Sequence, residues 1–196
     1  MIERTLGYPR RPLPDWVRPP FKPGDLFAMT ATARRVHRDR SLLKVMAGGR
    51  GSAKTVTLCS EAIYQGFRHP GKVGGLFEPT IPLVIDVIKP SLETQLEAFG
   101  LRQGTDWTFR ATEKAWLVCG GAQRGGFTII GRPALEWERM IGINLAWAGL
   151  DEPARMPKEA LAEISSRTRG GPVILMGTPD PGTWFAKWLK SLPPVA

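Results

Sequence analysis

Short apolar runs alternate with amphipathic stretches along most of this chain. Leu42-Leu43-Lys44-Val45-Met46-Ala47 reads as a buried strand, and residues 55–67 as the helix after it. His69-Pro70-Gly71 breaks the pattern before a second apolar run at 73–78. Pro82 is placed to start a helix running toward Gly100, with a kink at Pro90. Residues 107–111, 115–119 and 127–130 are short strands separated by turn residues, as expected of a small antiparallel insert. Residues 145–150 and 172–176 read as buried strands, 157–168 as a helix, and 184–192 as a short amphipathic helix. Strands alternating with helices predict an α/β domain whose mostly parallel central sheet is flanked by helices. Residues 1–24 carry Pro9, Pro12, Pro14, Pro19, Pro20 and Pro23 among basic residues, so a Pro-rich basic arm is expected there, and one domain over 25–196.

Composition narrows the class. A hydrophobic content of 42% with 23% charged residues suits a globular chain whose length supports one sizeable core. No apolar run approaches the ~18 residues of a membrane span, and Met1-Ile2-Glu3-Arg4 leads into Pro and Arg rather than an apolar signal core. Cys59 and Cys119 fit neither a metal pattern nor a disulfide framework, so reduced intracellular thiols are expected. His37 and His69 are expected at the surface. The net charge of +9 favours a polyanionic partner, nucleic acid first. Its clusters are Arg34-Arg35-Val36-His37-Arg38-Asp39-Arg40, then Arg167 and Arg169, then Lys187 and Lys190. A solvated basic face serving solubility is the alternative.

The chemistry concentrates at Gly48-Gly49-Arg50-Gly51-Ser52-Ala53-Lys54-Thr55. A strand, a Gly-rich loop and then Lys-Thr at a helix start is the setting of a phosphate-binding P-loop. The glycines let backbone N–H groups point into one concavity, and the helix N-terminus adds partial positive charge. Lys54 is placed to reach the β- and γ-phosphates of ATP, and Thr55 to put a hydroxyl on Mg²⁺. Ala53 stands where the pattern usually has its second glycine, and its Cβ carries a cost if the backbone there needs positive φ.

The strand at 145–150 runs into Asp151-Glu152, the Walker B arrangement. Asp151 is expected to hold Mg²⁺, directly or through water, and Glu152 to orient the attacking water as a base. An apolar strand before Asp-Glu also occurs as an ordinary surface turn; the P-loop earlier in the same alternating pattern is what favours the functional reading. Gly177-Thr178-Pro179-Asp180 follows the strand at 172–176, and strand ends are where ligands sit in open α/β sheets. Thr178 is thus a candidate sensor of the γ-phosphate.

Taken together, the loop at 48–55, Leu150-Asp151-Glu152 and Gly177-Thr178-Pro179, with Glu78-Pro79-Thr80 after the second strand, resemble the ATPase domain of the large terminase subunit of tailed bacteriophages. The resemblance implies an ASCE-type P-loop fold, ATP hydrolysis with Mg²⁺, and double-stranded DNA driven into an empty capsid. It also implies a portal protein and a small terminase subunit as partners, a homo-oligomeric ring on the capsid, and action in the host-cell cytoplasm with no membrane. The family places an arginine finger just before a glycine, ahead of the Walker B aspartate. Here that pair is Ile141-Gly142, leaving Arg139 as the nearest arginine, with Arg132 or Arg50 as substitutes. The family's nuclease domain has no length available before Ala196, so nuclease activity is not expected in this polypeptide. The alternatives are a helicase-like nucleic-acid-dependent ATPase, which needs a second RecA-like domain, and a non-catalytic nucleotide-binding assembly protein.

Overall fold

The computed structural model describes residues 31–140 and 142–192, so the Pro-rich arm expected at 1–24 lies outside the described residues. Seven strands form one sheet: β1 (Leu43–Ala47), β2 (Val73–Glu78), β3 (Trp107–Arg110), β4 (Ala115–Val118), β5 (Phe127–Pro133), β6 (Ala148–Asp151) and β7 (Val173–Gly177). Their order is β1-β7-β6-β2-β5-β4-β3. The first five in that order run parallel, and β4 and β3 continue the sheet antiparallel. The antiparallel strands are therefore an extension of the main sheet. β5 belongs to both parts, pairing parallel with β2 and antiparallel with β4.

Parallel strands covered on both faces read as continuous apolar runs, and every residue of β6 and β7 is buried. Successive side chains still take opposite faces. On β7, Ile174 and Met176 pack with Leu58, Ile63, Leu92 and Leu96 from the helices α2 (Lys54–Arg68) and α4 (Lys89–Ala98). Val173 and Leu175 join Leu150, Ile164 and Phe185 on the other face, beneath α5 (Lys158–Arg167) and α6 (Trp184–Ser191). On β2, a Cβ at Gly74 would stand 1.9 Å from the Trp147 ring, so that glycine is what lets the indole fill the layer.

Three elements differ from the sequence reading. The strand expected over 145–150 starts at Ala148, because Leu145 donates its amide to Arg167 O at the end of α5 and Ala146 to Val73 O at the start of β2 rather than to β7. The helix begun at α3 (Ile81–Leu83), with Pro82 in its first turn, passes through a π-helical turn, Val84–Ile88, before α4. Lys89 donates to Val84 O, five residues back. This widened turn comes directly before Pro90, which has no N–H of its own to give, so the helical path continues past the proline. Residues read only as a basic cluster form α1 (Ala31–Arg38), which buries Ala33 and Val36.

His37, expected at the surface, is instead drawn inward. Its Nδ1 lies 2.5 Å from Glu61 Oε2, and the Lys44 ammonium donates to Glu61 Oε1 (2.6 Å) and Val36 O (3.1 Å). Glu61 is fully buried, so it needs these partners, and Gln65 Nε2 supplies one more. His69 is half-buried, with Nδ1 against Gln65 O.

Candidate nucleotide and metal site

The C-terminal ends of β1, β7, β6 and β2 lie side by side, and each carries its chemistry at or just beyond its last residue. β7 sits between the P-loop strand β1 and the Asp-Glu strand β6. The three tips are tied by backbone bonds: Gly48 N donates to Gly177 O (3.2 Å) and Glu152 N to Met176 O (2.8 Å).

The loop after β1 turns through Gly51 (φ 76°) and Ala53 (φ 57°, ψ 27°) into the first residue of α2. Ala53 thus takes the left-handed conformation that its position in the pattern demanded, despite its Cβ. Ser52 Oγ closes the loop onto Gly49 O at 2.8 Å. Lys54 is 6% exposed, and its ammonium donates to Gly48 O (3.0 Å) and Gly49 O (2.8 Å) inside the curl. The same nitrogen is 3.8 Å from Glu152 Oε1.

Thr55 Oγ1 donates to Asp151 Oδ2 at 2.5 Å, joining the helix start to the end of β6. Asp151 is 1% exposed, and its Oδ1 is buried with no N–H or hydroxyl donating to it; the neighbouring Glu78 carboxyl hydrogen-bonds this side chain when protonated. A hydroxyl beside a buried carboxylate with an orphaned oxygen fits a hard divalent cation. Among the described residues no group of three or more His, Cys, Asp and Glu could hold a metal by itself. The donor set thus suits an ion that completes its shell with phosphate oxygens and water.

Glu152 also takes a left-handed conformation (φ 50°), which turns its side chain toward β7. There its carboxylate accepts from Thr178 N (3.0 Å) and Thr178 Oγ1 (3.3 Å). The cleft over these groups is lined by Arg50, Thr55, Asp151, Glu152 and Thr178, and also by Glu78, Arg155 and Asp180. Burial pushes the Glu78 carboxyl up to about 9, with the negative charges of Asp151 and Glu152 and a hydrogen bond to Asp151 adding to the rise and Arg155 opposing it. Asp151 is raised to about 6, first by burial and then by Glu152, against the lowering effect of the Thr55 hydrogen bond.

The structure therefore brings together the loop residues Gly48, Gly49, Arg50, Gly51, Ser52, Ala53, Lys54 and Thr55 with Asp151, Glu152 and Thr178. Arg139 lies elsewhere, on an exposed 3₁₀ turn, with its guanidinium 2.8 Å from Glu136 and 82% exposed. Arg132 is engaged with Glu113 O and Gly131 O, and Ile141 lies outside the described residues. Glu78 and Arg155 were not singled out as site residues. The signal for Glu78 was available, since β2 ends in a carboxylate just as β6 does.

No protein-family model matches the chain, and no curated protein matches it either. Solved structures do. The large terminase ATPase domain of Thermus phage P74-26 aligns with a TM-score of 0.65 at 23% identity, over 82% of this chain and 68% of that one. The large terminase of a second, thermophilic bacteriophage aligns with a TM-score of 0.63 at 17% identity, over 80% of this chain and 39% of that one. That same terminase in complex with ADP aligns with a TM-score of 0.55 at 19% identity, over 69% of this chain and 32% of that one. Together with the strand order and the P-loop, these likenesses give the chain the α/β P-loop fold of the phage large terminase ATPase domains.

Proposed function

We propose that the chain is an Mg²⁺-dependent ATPase whose turnover drives double-stranded DNA into a viral capsid, with residues 25–196 as its ATPase domain. The observation that supports this most is the convergence of Lys54, Thr55-Asp151 and Glu152-Thr178 over the ends of three adjacent strands. Each of these groups matches one task of ATP hydrolysis, and the likeness to a terminase solved in complex with ADP supports nucleotide binding.

In this reading the Lys54 ammonium leaves the Gly48 and Gly49 carbonyls for the β- and γ-phosphates, while loop N–H groups hold the remaining oxygens. Thr55 and Asp151 would hold the magnesium ion, which when bound neutralises charge developing on the phosphates. Glu152 orients a water and accepts its proton as the water oxygen attacks the γ-phosphorus and the bond to the β-phosphate oxygen breaks. Thr178 then loses or regains its carboxylate partner as Glu152 moves, which passes the state of the γ-phosphate to β7. Arg139, exposed as it is, would serve a neighbouring subunit of a ring rather than its own cleft. The portal protein, the small terminase subunit, the ring and the host-cell cytoplasm belong to the same proposal.

Steady-state ATP hydrolysis with and without long duplex DNA tests it. Lys54→Ala should abolish nucleotide affinity or turnover while the fold survives. Glu152→Gln should retain binding and lose about 10²-fold or more in rate. Native turnover in both variants would remove the assignment.

A further inference from the structure

The cleft occupies one edge of the parallel sheet, and the opposite edge gathers a different chemistry. All five parallel strands begin there. A chain of backbone hydrogen bonds joins the segments leading into them: Val173 N to Leu42 O, Ala148 N to Pro172 O, Ala146 N to Val73 O, Thr128 N to Lys72 O, and Gly71 N to Gly126 O. These leading segments are therefore neighbours in space, although far apart in sequence.

They carry Arg38 and Arg40 before β1, Arg169 before β7, Arg68 and Lys72 before β2, and Arg124 before β5, all exposed. Among the described residues none of the six side chains is in an ion pair, and the Arg68 guanidinium lies over the Tyr64 ring. Arg167, at the same edge, is held by Glu163. The acidic groups there are few: Asp39, bonded to Ser41 N; Asp106, paired with Arg102; Glu163; and Glu97 near the end of α4. His69 sits between Arg68 and Lys72, and its imidazole is held below the usual range first by burial and then by those two charges, against the raising effect of the Gln65 O hydrogen bond.

Cations in the last turn of a helix are stabilising in any α/β protein, and Arg38 and Arg68 sit in such turns. Arg40, Lys72 and Arg169 lie beyond the helices, where that benefit has faded, and Arg124 ends a 3₁₀ turn of only three residues, Ala122–Arg124. Arg169 even holds a left-handed backbone (φ 47°) just past α5. Four strand spacings of about 4.8 Å set the arc from β1 to β5 at roughly 19 Å. A major groove is about 12 Å wide, so such an arc reaches phosphates on both of its sides.

We propose that this edge, on the far side of the sheet from the nucleotide cleft, grips the phosphate backbones of duplex DNA without reading its sequence. The choice of DNA rests on the packaging reading above; the position of the grip rests on the strand topology alone. ATP chemistry and polymer contact are thus placed at opposite ends of the same strands.

The test is the salt dependence of binding between the full chain and a random-sequence duplex DNA, without nucleotide. The triple variant Lys72→Gln, Arg124→Gln, Arg169→Gln removes three cations of this edge that are in no ion pair and lie outside the α-helices. It should flatten the slope of log affinity against log salt by about 2.7, at about 0.9 per phosphate contact. Lys114→Gln, Lys158→Gln, Lys187→Gln removes the same charge elsewhere and should change the slope far less. Thermal melting of both variants checks the fold, and DNA-free ATP turnover should stay at the native level in the first. Equal slopes for the two triples, no DNA binding at low salt, or tighter binding of duplex RNA would each overturn the proposal. A chain that binds DNA in this way yet never hydrolyses ATP would instead remove the motor reading and leave the grip in place.

Discussion

Two residues with a Cβ, Ala53 and Glu152, hold left-handed conformations on either side of the nucleotide cleft. Such a backbone costs a non-glycine residue about 1 kcal/mol or more, and it persists where surrounding structure overdetermines it. Ala53→Gly should therefore raise the melting temperature by a few degrees, since about 1 kcal/mol moves a domain of this size by about 2–4 °C. An unchanged or lower melting temperature would show that the loop stores no strain at Ala53. Glu78 makes a second residue-scale case. Its carboxyl keeps a proton up to about 9, while the unfolded chain releases that proton near the ordinary value of 4.5. The folded state thus holds more protons across that window, so stability falls as pH rises through it. Glu78→Gln should flatten this fall when unfolding is measured with metal chelated at either end of the window; an unaltered pH dependence would contradict the burial of a protonated Glu78. At this scale Lys54, Thr55 and Asp151 were legible because their types and spacing are dictated by phosphate and metal chemistry. Arg155 was not, because a lone arginine in a turn looks the same whether it faces a cleft or solvent.

Helices and strands were legible where a period was clean. β2, β7 and α2 fall within a residue or two of their sequence reading, since apolar runs bounded by Gly and Pro leave few alternatives. β6 was overread because loop residues 145–147 are as apolar as the strand they lead into, and only tertiary hydrogen bonds separate the two. The buried cluster of Lys44, Glu61 and His37 was invisible for a related reason: charged side chains on β1 and α2 look solvated until the elements pack. Burial works against ionising Glu61, yet hydrogen bonds from His37 and Lys44 hold its carboxyl below the usual range. Lys44→Met takes the ammonium from a buried carboxylate, leaving it His37 and Gln65 alone, and should cost about 3–5 kcal/mol in urea unfolding at neutral pH. Adding Glu61→Leu to that variant should recover much of the loss. A single variant as stable as the native chain would mean that the ion pair does not hold α2 against β1.

At the scale of the whole molecule, ligand binding and folding share one free energy. An ATP analogue with magnesium at about 100 times its dissociation constant should stabilise the chain by about 2.7 kcal/mol, several degrees in melting temperature. Chelation or Lys54→Ala should erase the gain. A shift that survives Lys54→Ala would place the nucleotide elsewhere. The parallel order β1-β7-β6-β2 follows from alternating strands and helices, but which strand lies between the P-loop and Asp-Glu strands is set by tertiary packing and could not be read from periodicity.

That intervening strand gives the molecule a built-in reporter. The Thr178 amide at the tip of β7 donates to the Glu152 carboxylate, the same group assigned to the attacking water. Whenever Glu152 turns toward that water, the amide loses its acceptor and its hydrogen becomes free to exchange with solvent deuterium. Exchange at this one position should therefore step up with a non-hydrolysable ATP analogue and fall back with ADP, a clock for the cycle that needs no reporter group attached to the chain. Identical exchange in the two states would mean that Glu152 and Thr178 stay joined throughout turnover.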